Sequence, residues 1–332
     1  MKAQILKLLR ASGDRVSGNT LCARLGASRV AVWKHIQKLQ ELGYSIESSA
    51  KGYRLRSSLD NLHPWEFPGR EERMVYRDKA PSTMDVAKDL ARKGCPAFTT
   101  VVAGRQTQGR GRLRRVWSSE GGGLYFTVVL RPSIPVLWSS RVNFLASLTL
   151  ASILRADYGV EAGVKWPNDI LVGGRKLGGL LAEMECEGDE VTFINVGIGL
   201  NVNNDVPAIE PPAVSLKTLL GRRVSRREIL ARFLDALEQG IAAEPWDTVI
   251  EEWKQRSITL NRTVRIITTK DDISGVAVGV DANGALLLRQ LDGTLTTILH
   301  GDCFLQEPTA KRIRRAQTPE NPKSEYQNSK PI

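Results

Sequence analysis

The chain has 332 residues, of which 42% are hydrophobic and 25% charged, and its formal net charge is +11. This length favours two or three domains, and the hydrophobic content excludes global disorder. We see neither an uninterrupted apolar run long enough to cross a membrane nor a secretory leader, so we expect a cytoplasmic protein without a membrane span. The four cysteines and three histidines lack metal-ligand spacing, so we expect no disulfide framework and no metal held by the protein alone.

The positive charge is concentrated near the ends of the chain. Residues 1–56 contain eleven Lys or Arg and three Asp or Glu, which gives a net charge of +8. Residues 307–332 contain six Lys or Arg and three Asp or Glu, which gives +3. Residues 57–306 are therefore neutral overall. A compact basic segment at the N-terminus is typical of a nucleic-acid-binding domain.

The order of elements predicted for residues 1–56 is that of a winged helix-turn-helix. An apolar face near the start predicts a first helix, and Ser17 and Ser28 are suitable N-caps for a second and a third. The third helix would turn its regularly spaced apolar residues inward, namely Val32, Ile36, Leu39 and Leu42. Two alternating runs around a turn then predict a hairpin. We also expect Trp33 to lie in the core.

In such a domain the third helix enters the major groove of DNA and the hairpin touches the backbone. The candidate DNA contacts are therefore Ser28, Arg29, Ala31, Lys34, Lys38 and Lys51. A small helical domain that binds another protein is the alternative. The agreement between charge and element order favours DNA.

Residues 57–72 contain two prolines and a glycine among mixed charges, which predicts a linker. From residue 73 to about 260, strand-like and helical segments alternate irregularly. They include a long apolar helix at 144–158 and a hairpin turning at 173–174. This pattern predicts an α+β domain with a mixed sheet rather than a regular βαβ repeat.

A basic stretch at 105–117 holds five arginines and two glycines. Glycine lets the backbone approach a ligand closely, and arginine supplies forked, charge-assisted donors to phosphate. The composition therefore fits a loop that an anion orders. It fits an RNA-binding tract or a solvated loop equally well, so composition alone does not decide between them.

Two further motifs carry polar groups next to glycines. The sequence KWPND at 165–169 precedes KLGG at 176–179, where a lysine beside paired glycines can face a carboxylate or phosphate. Asn168 and Asp169 are suited to Mg²⁺ or a nucleotide. A strand at 197–203 ends in asparagines, which is weak evidence by itself. The chain lacks a G-x-x-x-x-G-K-[ST] motif, so a nucleotide would not be held by a P-loop.

Taken together, these motifs resemble those of the biotin–protein ligase family, and the basic winged helix resembles that of its bifunctional subgroup, the biotin operon repressors. The resemblance covers residues 1–306 with the spacing kept. It implies an enzyme that forms biotinyl-5′-AMP from biotin and ATP and transfers biotin to a lysine of a biotin carboxyl carrier protein. It also implies that biotinyl-5′-AMP is the corepressor of a ligand-induced homodimer, which binds operator DNA of biotin synthesis or transport genes.

The resemblance assigns roles to individual positions. The implied biotin-binding residues are Ser82, Thr83, Gln106, Gly109, Arg110, Gly111, Arg112, Lys176 and Gly179. The implied ATP-binding residues are Arg112, Arg115, Trp117, Asn168, Lys176 and Asn201, with Mg²⁺ arriving on the nucleotide. Lys176 and Arg112 would be the catalytic groups, because two anions meet when the biotin carboxylate attacks the α-phosphate.

Residues 261–306 predict a small β-barrel similar to the SH3-like domain of the family, and we expect residues 307–332 to form a disordered tail. The chain departs from the family pattern at Met84, Arg114 and Gln306. These departures leave open a repressor that senses biotin but catalyses little. A ligase for lipoate or octanoate is a further alternative, against which the Gly-Arg-Gly-Arg loop argues.

Overall fold

The computed structural model describes residues 1–57, 60–206, 212–243 and 246–306. The expected tail at 307–332 and the side chain of Arg114 lie outside this described part. The N-terminal region has the predicted order of three helices and a hairpin. Its elements are α1 (Lys2–Ser12), α2 (Gly18–Leu25), α3 (Arg29–Glu41), β1 (Ser45–Ser49) and β2 (Gly52–Ser57).

The two predicted helix caps are confirmed. The hydroxyl of Ser17 accepts a hydrogen bond from the amide of Thr20, and that of Ser28 accepts one from the amide of Ala31. Each bond satisfies an amide that has no partner within its helix. The helices enclose an apolar core that includes Ile5, Leu6, Leu9, Leu21, Val32, Ile36 and Leu39.

Trp33 does not lie in this core, and our expectation for it was wrong. Its side chain is 51% exposed on the outer face of α3. Successive helical residues are about 100° apart, so a residue directly after the inward-facing Val32 points away from the core. The size and hydrophobicity of tryptophan misled the prediction, whereas the helical spacing was correct.

The central region is built on a seven-stranded sheet in the order β3-β4-β5-β9-β8-β7-β6. Only β3 and β4 pair in parallel among its described pairs, so the sheet is mixed as predicted. Its strands are β3 (Met74–Ala80), β4 (Thr100–Gln106), β5 (Leu124–Leu130), β6 (Gly163–Lys165), β7 (Asp169–Val172), β8 (Arg175–Glu187) and β9 (Glu190–Leu200).

Five helices accompany this sheet. They are α4 (Thr83–Arg92), α5 (Ser139–Tyr158), α6 (Leu216–Leu220), α7 (Arg226–Ala242) and α8 (Asp247–Arg256). Helix α4 packs on β4, β5 and β9, and α5 packs against α7, α8 and the sheet. By length and hydropathy alone, the segment Val136–Tyr158 would be able to cross a membrane, but half of it is buried within the protein. It is the core helix of this region.

Residues 60–72, part of the expected linker, are fixed by ion pairs. The carboxylate of Asp60 accepts hydrogen bonds from the amide and guanidinium of Arg226 at the start of α7. The buried carboxylate of Glu66 accepts bonds from Arg10, from the hydroxyl of Tyr44 and from Arg227. Burial, and then the hydrogen bond and negative charge of Glu66, raise the pKa of Tyr44 well above its ordinary value.

The C-terminal unit is a five-stranded antiparallel sheet in the order β13-β12-β11-β10-β14. This unit has the β-strand content predicted for residues 261–306. The strands are β10 (Thr263–Ile267), β11 (Asp272–Val280), β12 (Leu286–Arg289), β13 (Leu295–Ile298) and β14 (Asp302–Leu305). Gln306 follows β14, and its amide donates to the carbonyl of Thr263.

Candidate active site and DNA-binding surface

A chain of polar contacts surrounds the start of α4. Ser82 caps this helix, with its hydroxyl accepting from the amide of Met84 at 3.3 Å. The amide of Thr83 donates to Gln106 Oε1 at 2.7 Å, and Gln106 Nε2 donates to the hydroxyl of Ser119 at 2.8 Å. Three of the predicted biotin-binding residues therefore lie together in one polar cluster, in which Ser82 and Thr83 are buried and Gln106 is half-buried.

This cluster also includes a residue that sequence reasoning missed. The hydroxyl of Thr127 donates to the hydroxyl of Thr83 at 2.8 Å, and both side chains are buried. Thr127 is the one residue with an aliphatic hydroxyl in the buried strand LYFTVVL. A polar group within such an apolar run is the signal that would have identified it, because buried hydroxyls need a partner.

The basic stretch folds into a short closed loop. Arg110 and Val116 form an antiparallel bridge, and the amide of Trp117 donates to the carbonyl of Gly109 at 2.9 Å. A Cβ at Gly109 would lie 2.3 Å from the carbonyl oxygen of Trp117, so this glycine is required by the loop's own packing. The close approach that we expected toward a ligand is here an approach to the protein backbone.

Two acidic side chains hold Arg110 in this closed loop. Its guanidinium lies 2.9 Å from Asp85 and 3.2 Å from Glu183. The side chain is about one third exposed, so solvent screens these pairs and makes them replaceable. Arg112 and Arg115 lie in the same loop, where the amide of Arg115 donates to the carbonyl of Arg112 at 3.0 Å.

The indole of Trp117 lies on a floor formed by two glycines of neighbouring strands. A Cβ at Gly199 would be 2.4 Å from two atoms of the ring, and one at Gly179 would be 3.0 Å away. The ammonium of Lys176 lies 5.2 Å from the ring centroid, within the range of a cation–π contact. Buried Trp117 Nε1 lies over Gly199 and has no hydrogen-bond partner among the described residues.

Strand pairing places a row of four residues side by side beneath this ring, namely Lys165, Asp169, Gly179 and Gly199. Gly179 lies opposite Asp169 on one side and opposite Gly199 on the other, and Asp169 lies opposite Lys165. Directly paired residues share a face of the sheet. The glycines therefore clear space for the indole, while the row ends in an ion pair at the sheet edge.

Asp169 joins the two lysines of the KWPND and KLGG motifs. Its carboxylate lies 2.7 Å from Lys176 Nζ and 3.3 Å from Lys165 Nζ, and only 15% of its side chain is exposed. Burial opposes ionisation, but the charges of Lys176 and Lys165 outweigh it and hold the pKa of Asp169 below its usual value. The carboxylate thus binds both ammonium groups, and that of Lys176 lies over the indole.

The two candidate asparagines are engaged in supporting bonds. Asn168 Nδ2 donates to the carbonyl of Leu180, and Asn201 Oδ1 accepts from Asn204 Nδ2 at 3.0 Å. Asn201 is only 6% exposed. Both side chains brace the strand ends around the row, and a direct contact to a nucleotide remains a prediction for them.

Met84, one of the departures from the family pattern, has a clear packing role. A Cβ at Gly197 would lie 2.6 Å from the Met84 sulfur, so the thioether occupies the space above this glycine. Met84 is 97% buried, as its exposed fraction is 3%. The departure thus places a packed apolar side chain next to the Ser82–Thr83 cluster.

The predicted DNA contacts lie on the winged helix as expected from their positions. Arg29, Lys34 and Lys38 are exposed on α3, and Lys51 is exposed in the turn between β1 and β2. Ser28 is the cap of α3, and Ala31 lies half-buried in its first turn. The pKa of His35 is lowered by burial, and then by Lys2 and the N-terminus, which favours its neutral form.

Comparison with known proteins agrees with this geometry. Residues 2–54 match the HTH domain model, residues 75–201 the biotin/lipoate A/B protein ligase family, and residues 259–306 the biotin protein ligase C-terminal domain. The bifunctional ligase/repressor BirA of Bacillus subtilis (strain 168) is 34% identical over 309 residues, covering 88% of this chain and 95% of that protein. The chain belongs to the bifunctional biotin ligase/repressor family.

Further relatives support this assignment. A biotin–[acetyl-CoA-carboxylase] ligase of Paracoccus denitrificans is 34% identical over 227 residues, covering 64% of this chain and 92% of that one. The biotin protein ligase of Aquifex aeolicus, solved in complex with biotin and ATP, has a TM-score of 0.60 and 27% identity. The structural match covers 71% of this chain and 99% of the Aquifex aeolicus chain. As a family member, the chain is a biotin–protein ligase with a repressor's DNA-binding domain.

Proposed function

We propose that the site activates biotin with ATP and then transfers it to a lysine of a carrier protein. The observation that carries this proposal is the Asp169–Lys165–Lys176 cluster beside the Trp117 indole and the Ser82–Thr83–Gln106 cluster. One end of the site offers neutral hydrogen-bond partners and the other offers cations. Biotin has this same division, with an uncharged ring system and a carboxylate.

In the first step an oxygen of the biotin carboxylate attacks the α-phosphorus of ATP. The bond to the bridging oxygen breaks, biotinyl-5′-AMP forms and pyrophosphate leaves. Lys176 and the loop arginines Arg112 and Arg115 offset the repulsion between the carboxylate and the phosphates. Biotin itself is the nucleophile, so no protein nucleophile is required.

In the second step the neutral amine of the acceptor lysine attacks the acyl carbon of the mixed anhydride. The amide bond forms, AMP leaves and the amine loses its proton. The closed loop around Arg110 limits access of water to the anhydride before transfer. The acceptor that we propose is the biotin carboxyl carrier protein.

Mg²⁺ would be bound chiefly through the phosphate oxygens of ATP. No cluster of three acidic, histidine or cysteine side chains suited to a metal occurs in the described part of the chain. Asp169 is an oxygen donor, but its two lysine partners reduce its attraction for a cation. A metal that arrives with the triphosphate fits this donor set.

The second activity that we propose is repression by the biotinyl-5′-AMP-bound protein. It is supported by the exposed lysines of the winged helix and by the net charge of +8 in residues 1–56. The ligand would drive formation of a homodimer through the central sheet, which would bind a palindromic operator in the cytoplasm. An isologous dimer matches a two-fold symmetric DNA site.

The test combines both activities in one preparation. Pyrophosphate release with biotin and ATP, and labelling of a carrier domain, would support the ligase. Labelling with lipoate or octanoate in preference to biotin would contradict it. Mass and DNA binding, each measured with and without biotin plus ATP, test the repressor, which fails if the adenylate forms but the protein remains monomeric and unbound.

A further inference from the structure

The outer face of α3 carries a partly apolar surface, which we call the exposed stripe and define as Val30, Trp33, Lys34 and Gln37. Val30 is 62% exposed and Trp33 is 51% exposed, and the two polar members are also exposed. Residues spaced by three, four and seven lie on one side of a helix. The stripe is therefore continuous, and it faces away from the core of the domain.

The cations that flank the stripe are already oriented by protein partners. Arg29 donates to Asn19 Oδ1 through Nε at 3.0 Å and through Nη2 at 2.6 Å, which ties α3 to α2. Lys38 lies 2.8 Å from Glu41 on the same helix. The Arg29 fork, which would otherwise suit guanine, is thus occupied by an amide. This leaves the exposed stripe as the part of α3 presented to bases.

The chemistry of the stripe matches adenine–thymine pairs. In the major groove, thymine presents a C5-methyl group that is read by apolar side chains, and adenine presents the N6 and N7 pattern that glutamine reads. Recognition helices contact base edges mainly through their N-terminal residues, and Val30 and Trp33 lie in the first turns of α3. The lysine of the stripe supplies a cation for phosphate.

We propose that Val30 and Trp33 read thymine methyl groups in the operator and that Gln37 reads a neighbouring adenine. This inference rests on the DNA-binding half of the proposed function and adds its sequence preference. Uracil differs from thymine only by the absent methyl, so replacing one contacted thymine by uracil removes this contact and nothing else. Burial of one methyl group corresponds to about a fourfold change in affinity.

The experiment uses the full-length protein with biotin, ATP and Mg²⁺, and a randomised DNA duplex library as the probe. The enriched duplex is resynthesised with each thymine replaced singly by uracil, and affinities are measured by fluorescence anisotropy. The variants are Trp33→Ala, Val30→Ala and the matched control Lys34→Ala. Circular dichroism and thermal melting confirm that each variant is folded, which is expected because all three side chains are exposed.

We expect thymine in the enriched half-site, and about a fourfold loss for the wild type at one or more uracil positions. At the thymine that Trp33 contacts, the Trp33→Ala variant should bind the thymine and uracil duplexes with equal affinity. Lys34→Ala should keep the thymine preference. The slope of its log affinity against log salt concentration should fall in magnitude by about one.

Three results would overturn the inference in distinguishable ways. Wild-type indifference to uracil, or a Trp33→Ala variant that keeps the full preference, would refute methyl reading while leaving DNA binding intact. A lower oligomeric mass of Trp33→Ala would assign the stripe to a contact between copies of the chain. Failure of the library to yield any bound sequence would refute the repressor function itself.

Discussion

The Asp169→Asn substitution tests whether the ion-pair cluster positions Lys176, for which we propose a catalytic role. It keeps the shape of the side chain and removes its charge, so Lys176 and Lys165 lose their shared counter-ion. Breaking a buried pair by removing one partner costs about 3–5 kcal/mol. Lys176 is 29% exposed and solvent screens part of its charge, so we expect about 2–3 kcal/mol of destabilisation.

The catalytic consequence should appear mainly in kcat. The site gains a net positive charge, so ATP and biotin should still bind, but the ammonium of Lys176 is no longer held beside the indole. A loss of about 1.4–2.7 kcal/mol of transition-state stabilisation corresponds to a 10- to 100-fold lower kcat. Pyrophosphate release measures it. A kcat within twofold of wild type would refute the positioning role, and a rise in KM alone would assign the carboxylate to binding.

The same variant changes the pH dependence of stability. The folded-state pKa of Asp169 is depressed, so its contribution is fully present above the unfolded value of about 3.9 and is lost as pH falls through the folded pKa. Thermal melting of the wild type should therefore approach that of Asp169→Asn only at acid pH. Adding Lys165→Met to the variant should restore part of the stability. Asp272→Asn, which breaks an exposed pair with Arg265, is the control. It should leave both kcat and the melting temperature unchanged.

Three further substitutions test two close-packed glycines and one buried carboxylate. Gly199→Ala places a Cβ against the Trp117 ring, and overpacking of about 1–3 kcal/mol should raise the KM for ATP about tenfold in a pyrophosphate assay. Gly52→Ala places a Cβ 2.3 Å from the carbonyl oxygen of Val16 at a φ of +121°, so DNA affinity should fall at least tenfold while pyrophosphate release is kept. Glu66→Gln should lower the melting temperature through a loss of about 1–3 kcal/mol, because two arginines lose a buried carboxylate. Unchanged values would contradict each expectation. The controls in the same order are Gly121→Ala, Gly18→Ala and Glu228→Gln.

Local signals in the sequence were enough to predict most elements. Ser17 and Ser28 identified the starts of two helices, because a side-chain acceptor next to an apolar periodic run has a specific capping function. Trp33 shows the limit of residue type as a guide to burial, since this large apolar side chain is 51% exposed on α3.

The arrangement of the site required the strand register, which the sequence does not reveal. The motifs located Lys165, Asp169 and Lys176, but only strand pairing places one carboxylate between two ammonium groups. Similarly, the motifs located Gly179 and Gly199 in separate segments, and only the structure identifies the indole of Trp117 as the group that lies over both. Non-local pairing is the information that local patterns lack.

The contacts of residues 60–72 bear on how one chain combines two activities. Consecutive arginines at the start of α7 bind two carboxylates. Arg226 donates to Asp60, and Arg227 donates to Glu66, which also accepts from Arg10 of the winged helix. Asn203, just beyond the strand that floors the site, donates to Asp60 at 3.4 Å and to the carbonyl of Val224 at 2.7 Å. These contacts are contiguous from the end of β9 to the winged helix, and most of them are charge-assisted. If a ligand displaced this strand end, the displacement would act on groups that also hold the DNA-binding domain. Coupling that runs through such a network should weaken when Glu66 loses its charge, even though Glu66 contacts neither ligand nor DNA.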